Sequence, residues 1–348
     1  MTFHNLTWPR ATSLRRVAAR SAAMLALGLA LSGCVQTALD DLGEAVPEIS
    51  QKTAAEMRKK RMTPQAPVLV RLFKEESELE VWKQDATGRY ALLKTFPICR
   101  WSGKLGPKKN DGDRQAPEGF YSVSKGMLNP KSQYYLSFNL GYPNKLEAAL
   151  GYSGTALMVH GACSSSGCYA MTDQGVGEIY AIVKAALDSG QPAFQVQAYP
   201  FKMTAKNMAA HRGDANFEFW RSMKVGFDAF EATRTEPRIS ACGGKYVVNA
   251  EFSGGVPKDP LAACPERTDT INPTIAAKVT TEDAALTALL GQDGATHANA
   301  YVDGGMHPSF RALLKENGAK KLAAKISNID YPVSRPEAAL ADPYDGKD

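Results

Sequence analysis

No stretch of this chain reaches the ~18 consecutive apolar residues that a membrane-spanning helix needs, which excludes a helical membrane protein. Internal repeats and low-complexity runs are also missing, and with 44% hydrophobic and 22% charged residues wholesale disorder and fibrous architecture are excluded. An excess of one charge is missing too, once it is located. The net charge of +5 depends on Arg10, Arg15, Arg16 and Arg20; without those four it falls to about +1. Nucleic-acid binding thereby loses its compositional support. The 348 residues allow about two domains and an ample core.

The first segment has the order of an export signal. An arginine-rich region at 10–20 precedes the apolar stretch Ala22–Leu31, and Leu31-Ser32-Gly33-Cys34 follows. Those four residues resemble a bacterial lipobox. The expectation is a lipoprotein signal at 1–33, cleavage before Cys34 and lipid on its sulfur, with acyl chains contributing ~0.8 kcal/mol per buried CH₂. Val35 in place of aspartate points to the outer membrane, so the protein is expected to be membrane-anchored in the cell envelope and to face the periplasm. Disulfides persist in that oxidising compartment. If Cys34 carries lipid and one further thiol does chemistry, four of the six cysteines remain, with three connectivities open. Cys99, Cys163, Cys242 and Cys264 are the candidates.

Residues 34–66 are polar and read as a tether with one short helix around 50–60. From Val68 the pattern turns to short β-branched and aromatic runs: Val68–Phe73, Glu78–Lys83, Tyr90–Phe96, Gly119–Ser124, Thr155–Val159 and Ala193–Tyr199. Gly103 to Gly112 is a long turn-rich loop of the kind that carries sites. Asp173 reads as the N-cap of a helix marked by Val176, Ile179, Tyr180, Val183 and Leu187 and stopped at Gly190. Ala209–Phe230 is expected to be helical, with Phe217, Trp220, Phe227 and Phe230 in the core. The composition shifts after about 235, making 67–235 a catalytic domain and 236–348 an accessory region. Within the latter, Tyr246–Phe252 reads as a strand bracketed by Cys242 and Cys264, whose closure would contribute ~3 kcal/mol. Thr280 to Asp283 reads as the start of a short helix, and another follows Pro308 and stops at Asn317-Gly318. The final dozen residues read as frayed. The fold class is α+β, mostly β.

The chemistry concentrates in Leu157-Met-Val-His160-Gly161-Ala-Cys163-Ser-Ser165-Ser166-Gly167-Cys168. A histidine ends a strand and a cysteine follows eight residues later. A thiol becomes a nucleophile when a nearby base removes its proton, so His160 and Cys168 fit a thiol–imidazole pair. Gly167 leaves room for a substrate carbonyl, and the Gly167 and Cys168 amides are candidates for an oxyanion hole. Ser165, Ser166 and Gly161 are read as positioning residues. Two blander readings stand beside this one. Cys163 and Cys168 could pair with each other, and His160, Cys163 and Cys168 offer three zinc ligands but no evident fourth. His211, His297 and His307 lack strand context, and His211 and His307 are expected to face solvent.

These blocks together resemble the L,D-transpeptidase catalytic domain (YkuD) family, specifically its YafK-like branch. The resemblance spans roughly 66–235 and includes Arg71-Leu-Phe-Lys-Glu-Glu76, Trp101-Ser-Gly-Lys-Leu-Gly-Pro-Lys108, Ala116-Pro-Glu-Gly-Phe-Tyr121, Gly141-Tyr-Pro-Asn144 and Pro200-Phe-Lys-Met203 besides the His-Gly and Ser-x-Gly-Cys motifs. It implies a mixed β-sheet fold with a covering helix, Cys168 as nucleophile and His160 as base. Seven residues separate the two here, where typical members have about fifteen, and Ala170 stands where they carry arginine. Both departures fit the YafK-like branch, whose members include hydrolases as well as transpeptidases.

The expected function is peptidoglycan modification. Cys168 attacks the amide at the L-centre of meso-diaminopimelate in a wall stem peptide and forms an acyl-enzyme. One alternative is a hydrolase of the same fold that releases wall-bound lipoprotein or trims stems; another is a non-catalytic peptidoglycan-binding lipoprotein. Arg100, Lys104 and Lys108 are candidates to hold substrate carboxylates, and Tyr142 and Asn144 to border the cleft. No cofactor, metal or nucleic acid is implied; the expected partners are stem peptides and a wall-attached lipoprotein.

Overall fold

The computed structural model describes residues 46–292 and 301–340. The leader, Cys34, His297 and residues 341–348 lie outside the described residues. Among those described, ten strands build two five-stranded sheets. The first runs β3(Tyr90–Pro97), β2(Glu78–Gln84), β1(Val68–Phe73), β10(Ala193–Tyr199), β5(Gly119–Ser124). The second runs β4(Arg100–Trp101), β9(Tyr169–Ala170), β8(Met158–His160), β7(Tyr135–Asn139), β6(Leu128–Ser132). The sheets are mixed, with β1·β10 and β8·β9 parallel and the remaining pairs antiparallel.

Every residue of β1 is buried at the centre of its sheet, Arg71 included, whose guanidinium is paired with Glu231 and Glu80. Helix α3 (Asp173–Asp188) packs on β1, β10, β7 and β8, and its Val176, Ile179, Tyr180 and Val183 enter the shared core. Thr172 is its N-cap, accepting from the Gly175 N–H, so Asp173 is its first residue and not its cap as expected. The expected 209–230 helix is two, α4 (Ala205–Ala210) and α5 (Phe217–Thr233). Asp214 breaks the run by accepting from the Asn216 backbone and side chain, a local alternative to helical bonding. Trp220, Phe227 and Phe230 are buried.

The flanking regions join the main core through Met57, Met62, Tyr246, Leu286 and Tyr301, while Met306 to Ala339 build a second cluster on Cys99 and Cys163. Helix α1 (Gln51–Lys59) lies in the expected tether, yet Met57 and Met62 are buried in the main core. The described residues from Val46 onward cluster as one compact unit. A hairpin of β11 (Ile239–Cys242) and β12 (Lys245–Val248) is tied to the following loop by Cys242–Cys264. Helix α6 (Pro273–Leu290) starts at the Asn272 cap with Pro273 in its first turn, well before the Thr280 start expected. The run α7 (Pro308–Ile326) is two helices that meet at Gly318, where φ is 72° and ψ is 164°, so the first stops at Asn317-Gly318 as expected and a second follows it to Ile326. Helix α8 (Pro336–Leu340) closes the described chain.

His211 contradicts its expectation. It is 2% exposed, stacks on Phe201 at 4.4 Å between ring centroids and directs Nε2 toward Glu75 at 3.2 Å. Its place after α4 turns the imidazole inward against Trp220, which no local pattern announces. His307 is partly buried and caps α7 by accepting from the Ser309 N–H.

Candidate active site

One register row crosses the second sheet: Arg100 on β4 opposes Ala170 on β9, Ala170 opposes His160 on β8, and His160 opposes Ser137 on β7. Paired residues share a face, so these four side chains project to the same side. The next row, Tyr169, Val159 and Phe138, is fully buried and projects oppositely, with Phe138 against Phe194 of the first sheet. This alternation puts His160 outside the inter-sheet core. An arginine also reaches the row at Ala170, from the neighbouring strand.

His160 is 4% exposed, and its Nδ1 lies 2.7 Å from the Gly161 carbonyl oxygen. A carbonyl accepts only, so Nδ1 carries the proton and Nε2 presents its lone pair. Burial pushes the imidazole down to about 4, and the ring is neutral near pH 7. Tyr134 lies over it at 4.8 Å between centroids. Cys168 is the free cysteine among those described. Its Sγ accepts from the Met158 N–H at 3.4 Å and donates to the Ala156 carbonyl at 3.7 Å. In this resting arrangement the thiol therefore bonds to the β8 edge and not to the imidazole. Burial pushes the thiol up, against the smaller pull of the Met158 N–H and the Lys108 charge. The thiol and the imidazole are thus both neutral near pH 7. Met158 and Ala156 also line a cavity of about 500 Å³ with Tyr142, Asn139 and Met127.

The loop joining the pair is bound from several sides. Ala162 and Cys163 both adopt left-handed backbone, at φ 63° and 47°, an uncommon state for residues with a Cβ. Asp173 Oδ1 accepts from the Ala162 N–H at 2.8 Å, and Cys163 is disulfide-bonded to Cys99. That disulfide removes both the Cys163–Cys168 pairing and the zinc reading. Gly161 is required by close approach, since a Cβ there would sit 2.6 Å from Asp173 Oδ1 and 2.9 Å from the Tyr134 carbonyl oxygen. Ser165 is the hub of the Cys168 turn. Its Oγ accepts from the Cys168 and Gly167 N–H groups at 3.2 and 3.4 Å and donates to the Cys168 carbonyl at 2.7 Å. The two amides expected to form an oxyanion hole are therefore engaged by a side chain of their own loop.

The C-terminal segment completes this rim. Ser334 Oγ accepts from the Ser165 N–H at 3.0 Å and donates to the Ser165 carbonyl at 2.8 Å. Asp173 Oδ2 accepts from the Asn328 N–H and the Ser327 hydroxyl, and Tyr331 stacks on Tyr134 at 4.5 Å. None of these partners was visible locally; Ser334 is 169 positions from Ser165. Only Asp173 carried a signal, as a helix-start residue.

The expected substrate contacts divide. Arg100 is 0% exposed and binds the Ser334, Trp101 and Asp303 carbonyls, so it holds the rim and is closed to substrate. Lys108 is buried against Asp113 and the Asn110 carbonyl. Lys104 is exposed. Tyr142 donates to the Lys108 carbonyl and borders the cavity beside Cys168. Asn144 caps α2 (Lys145–Ala149) and donates to Tyr246 Oη and the Phe120 carbonyl, a shaping role. Ser166, which is exposed, accepts from Arg114 at 2.6 Å.

The family description L,D-transpeptidase catalytic domain (YkuD) matches residues 68–202. The protein named "Putative L,D-transpeptidase YafK" in Escherichia coli strain K12 is 44% identical over 214 residues, covering 62% of this chain and 87% of YafK. Among solved structures, the helical cell shape determining protein Pgp2 of Campylobacter jejuni aligns with a TM-score of 0.32 at 16% identity, covering 54% of this chain and 79% of Pgp2.

Proposed function

The chain belongs to the L,D-transpeptidase catalytic-domain (YkuD) family, and from that premise we propose that it is a cysteine enzyme of peptidoglycan stem peptides. Cys168 is the nucleophile and His160 its general base. On reaction the thiol turns from the Ala156 carbonyl toward Nε2, gives up its proton, and Sγ attacks the amide carbonyl at the L-centre of meso-diaminopimelate. The imidazolium returns that proton to the departing amine, leaving a thioester. Water or a second amine then displaces Cys168. Resting hydrogen bonds in such sites commonly realign when substrate arrives.

The observation that carries this reading is the imidazole tautomer. The Gly161 carbonyl holds Nδ1–H, so the basic nitrogen is the free one, on the strand beside the unpaired cysteine. General-base assistance contributes ~10²–10⁴-fold. An oxyanion contribution from Gly167 and Cys168 would require those amides to leave Ser165. We also propose export, lipid on Cys34 and a periplasm-facing outer-membrane position, which metabolic labelling with a fatty acid would test against Cys34→Ala.

The deciding experiment digests purified wall sacculi with wild type and Cys168→Ala, in the presence of a labelled amine, and resolves the muropeptides. Loss of products in the variant supports the assignment; equal profiles remove it. Label in the wild-type products identifies transfer, and unlabelled products with a new carboxylate identify hydrolysis.

A further inference from the structure

Three guanidinium groups converge on one carboxylate beside the nucleophile loop. Asp303 Oδ2 lies 3.3 Å from Arg114 Nη2, 3.2 Å from Arg335 Nη1 and 3.8 Å from Arg100 Nη2, and Oδ1 accepts from the Gly103 N–H at 3.1 Å. Asp303 is 3% exposed, and among the described residues no other carboxylate is paired with these arginines. Asp113, the chain neighbour of Arg114, is bound instead to Lys108 and to the Lys109, Asn110 and Gln115 amides. The cluster therefore holds three positive charges against one negative, an imbalance of two.

The members differ in access. The Arg100 side chain is fully enclosed, whereas those of Arg114 and Arg335 are 32% and 59% exposed. Arg114 Nη1 donates to Ser166 Oγ at 2.6 Å, two residues before Cys168, and its Nε–H has no partner. Of five N–H donors on that guanidinium, two are engaged. Both arginines sit in left-handed backbone, at φ 56° and 44°. Arg100 and Lys108 have no comparable freedom.

We propose that Arg114 and Arg335, mounted on Asp303, form a subsite for a carboxylate of the peptide that Cys168 attacks. A guanidinium fork matches a carboxylate in geometry and charge, and the surplus at the rim favours an anion next to the reacting carbonyl. The C-terminal segment thereby supplies half of the recognition site as well as its mount. That the carboxylate belongs to a wall stem rests on the function proposed above; the anion-attracting field at Cys168 does not.

The test measures that field directly. Cys168 in the full chain is alkylated with iodoacetate, which is anionic, and with iodoacetamide, which is neutral and similar in size; the ratio of the rates cancels thiol ionisation. Charges at this range in a half-exposed rim should change the ratio about fivefold, less at high salt. The Arg114→Gln/Arg335→Gln double variant is expected to lose that preference, while Arg114→Lys and the distant Lys315→Gln keep it. With wall peptides, the double variant should raise KM for the free acid and leave the carboxamide form unchanged. A ratio equal to wild type in a folded double variant overturns the proposal, whether or not its thermal stability falls. Should Cys168→Ala prove fully active on sacculi, the catalytic reading fails while the alkylation ratio still reports on the anion subsite.

Discussion

Replacing His160 by asparagine isolates the cost of keeping an imidazole neutral under Tyr134. Asparagine retains an N–H for the Gly161 carbonyl, so the loop keeps its anchor while the titration is removed. The imidazole titrates at about 4 in the folded chain against an ordinary 6.5, because burial opposes its charge. Between those values the unfolded chain takes up a proton that the folded chain refuses. The resulting stability is complete above about 6.5 and is lost as pH falls toward 4. At roughly 1.36 kcal/mol per unit the window is worth about 3 kcal/mol, of which about 2.5 has gone by pH 4.5. Glu76 and Glu147 act with the opposite sign. Burial raises both to about 7, so they keep protons when folded and their contribution fades as pH rises through that value. Both are common to wild type and variant and cancel in the difference. Urea unfolding of the two proteins at neutral pH and near pH 4.5 therefore reads His160 alone. The stability of wild type relative to His160→Asn should fall by about 2–3 kcal/mol on acidification. A difference that stays constant with pH would show that the imidazole is not held neutral and would undo the argument about its basic nitrogen.

Two further outcomes follow from the loop's anchors. Asp173→Ala strips the acceptor from the Ala162 and Asn328 N–H groups and the Ser327 hydroxyl, and should cost about 3–5 kcal/mol in urea unfolding and release residues 327–334 to proteolysis. Replacing Cys99 and Cys163 together by alanine opens a closure of 64 residues, worth about 4 kcal/mol in the chain-entropy model. Because the left-handed Ala162–Cys163 backbone then loses a tether, the proposed activity on wall sacculi should decline faster than melting temperature as reductant is titrated into wild type.

Where side-chain alternation and turn residues decide the conformation, the sequence was informative. Val68–Phe73, Gly119–Ser124 and Ala193–Tyr199 form strands with the expected bounds, and the helix ending before Gly190 lies where its 3.6-residue apolar period placed it. His160 and Cys168 were legible because a histidine at a strand end and a Gly-Cys turn are local patterns. The expected strand at 155–159 instead occupies Met158–His160; Ala156 turns left-handed at φ 56°, and its carbonyl accepts from the thiol. What stayed hidden depends on distant partners. Arg100 looked like a free cation until Asp303 and Ser334, more than 200 positions away, enclosed it. His211 looked exposed until Glu75 and Phe201 received it. The rim shares a cause: Asp173 joins the loop between His160 and Cys168 to Asn328 across 155 positions, a contact with no period or motif to announce it.

The most direct test of the central claim is mass spectrometry of the intact chain, quenched in acid within seconds of mixing with wall stem peptides. The account predicts an adduct equal to the substrate acyl group, confined to the proteolytic fragment that holds Cys168, absent from Cys168→Ala and diminished in His160→Asn. Turnover without such an adduct in wild type, or an equal adduct on another residue in Cys168→Ala, would contradict it.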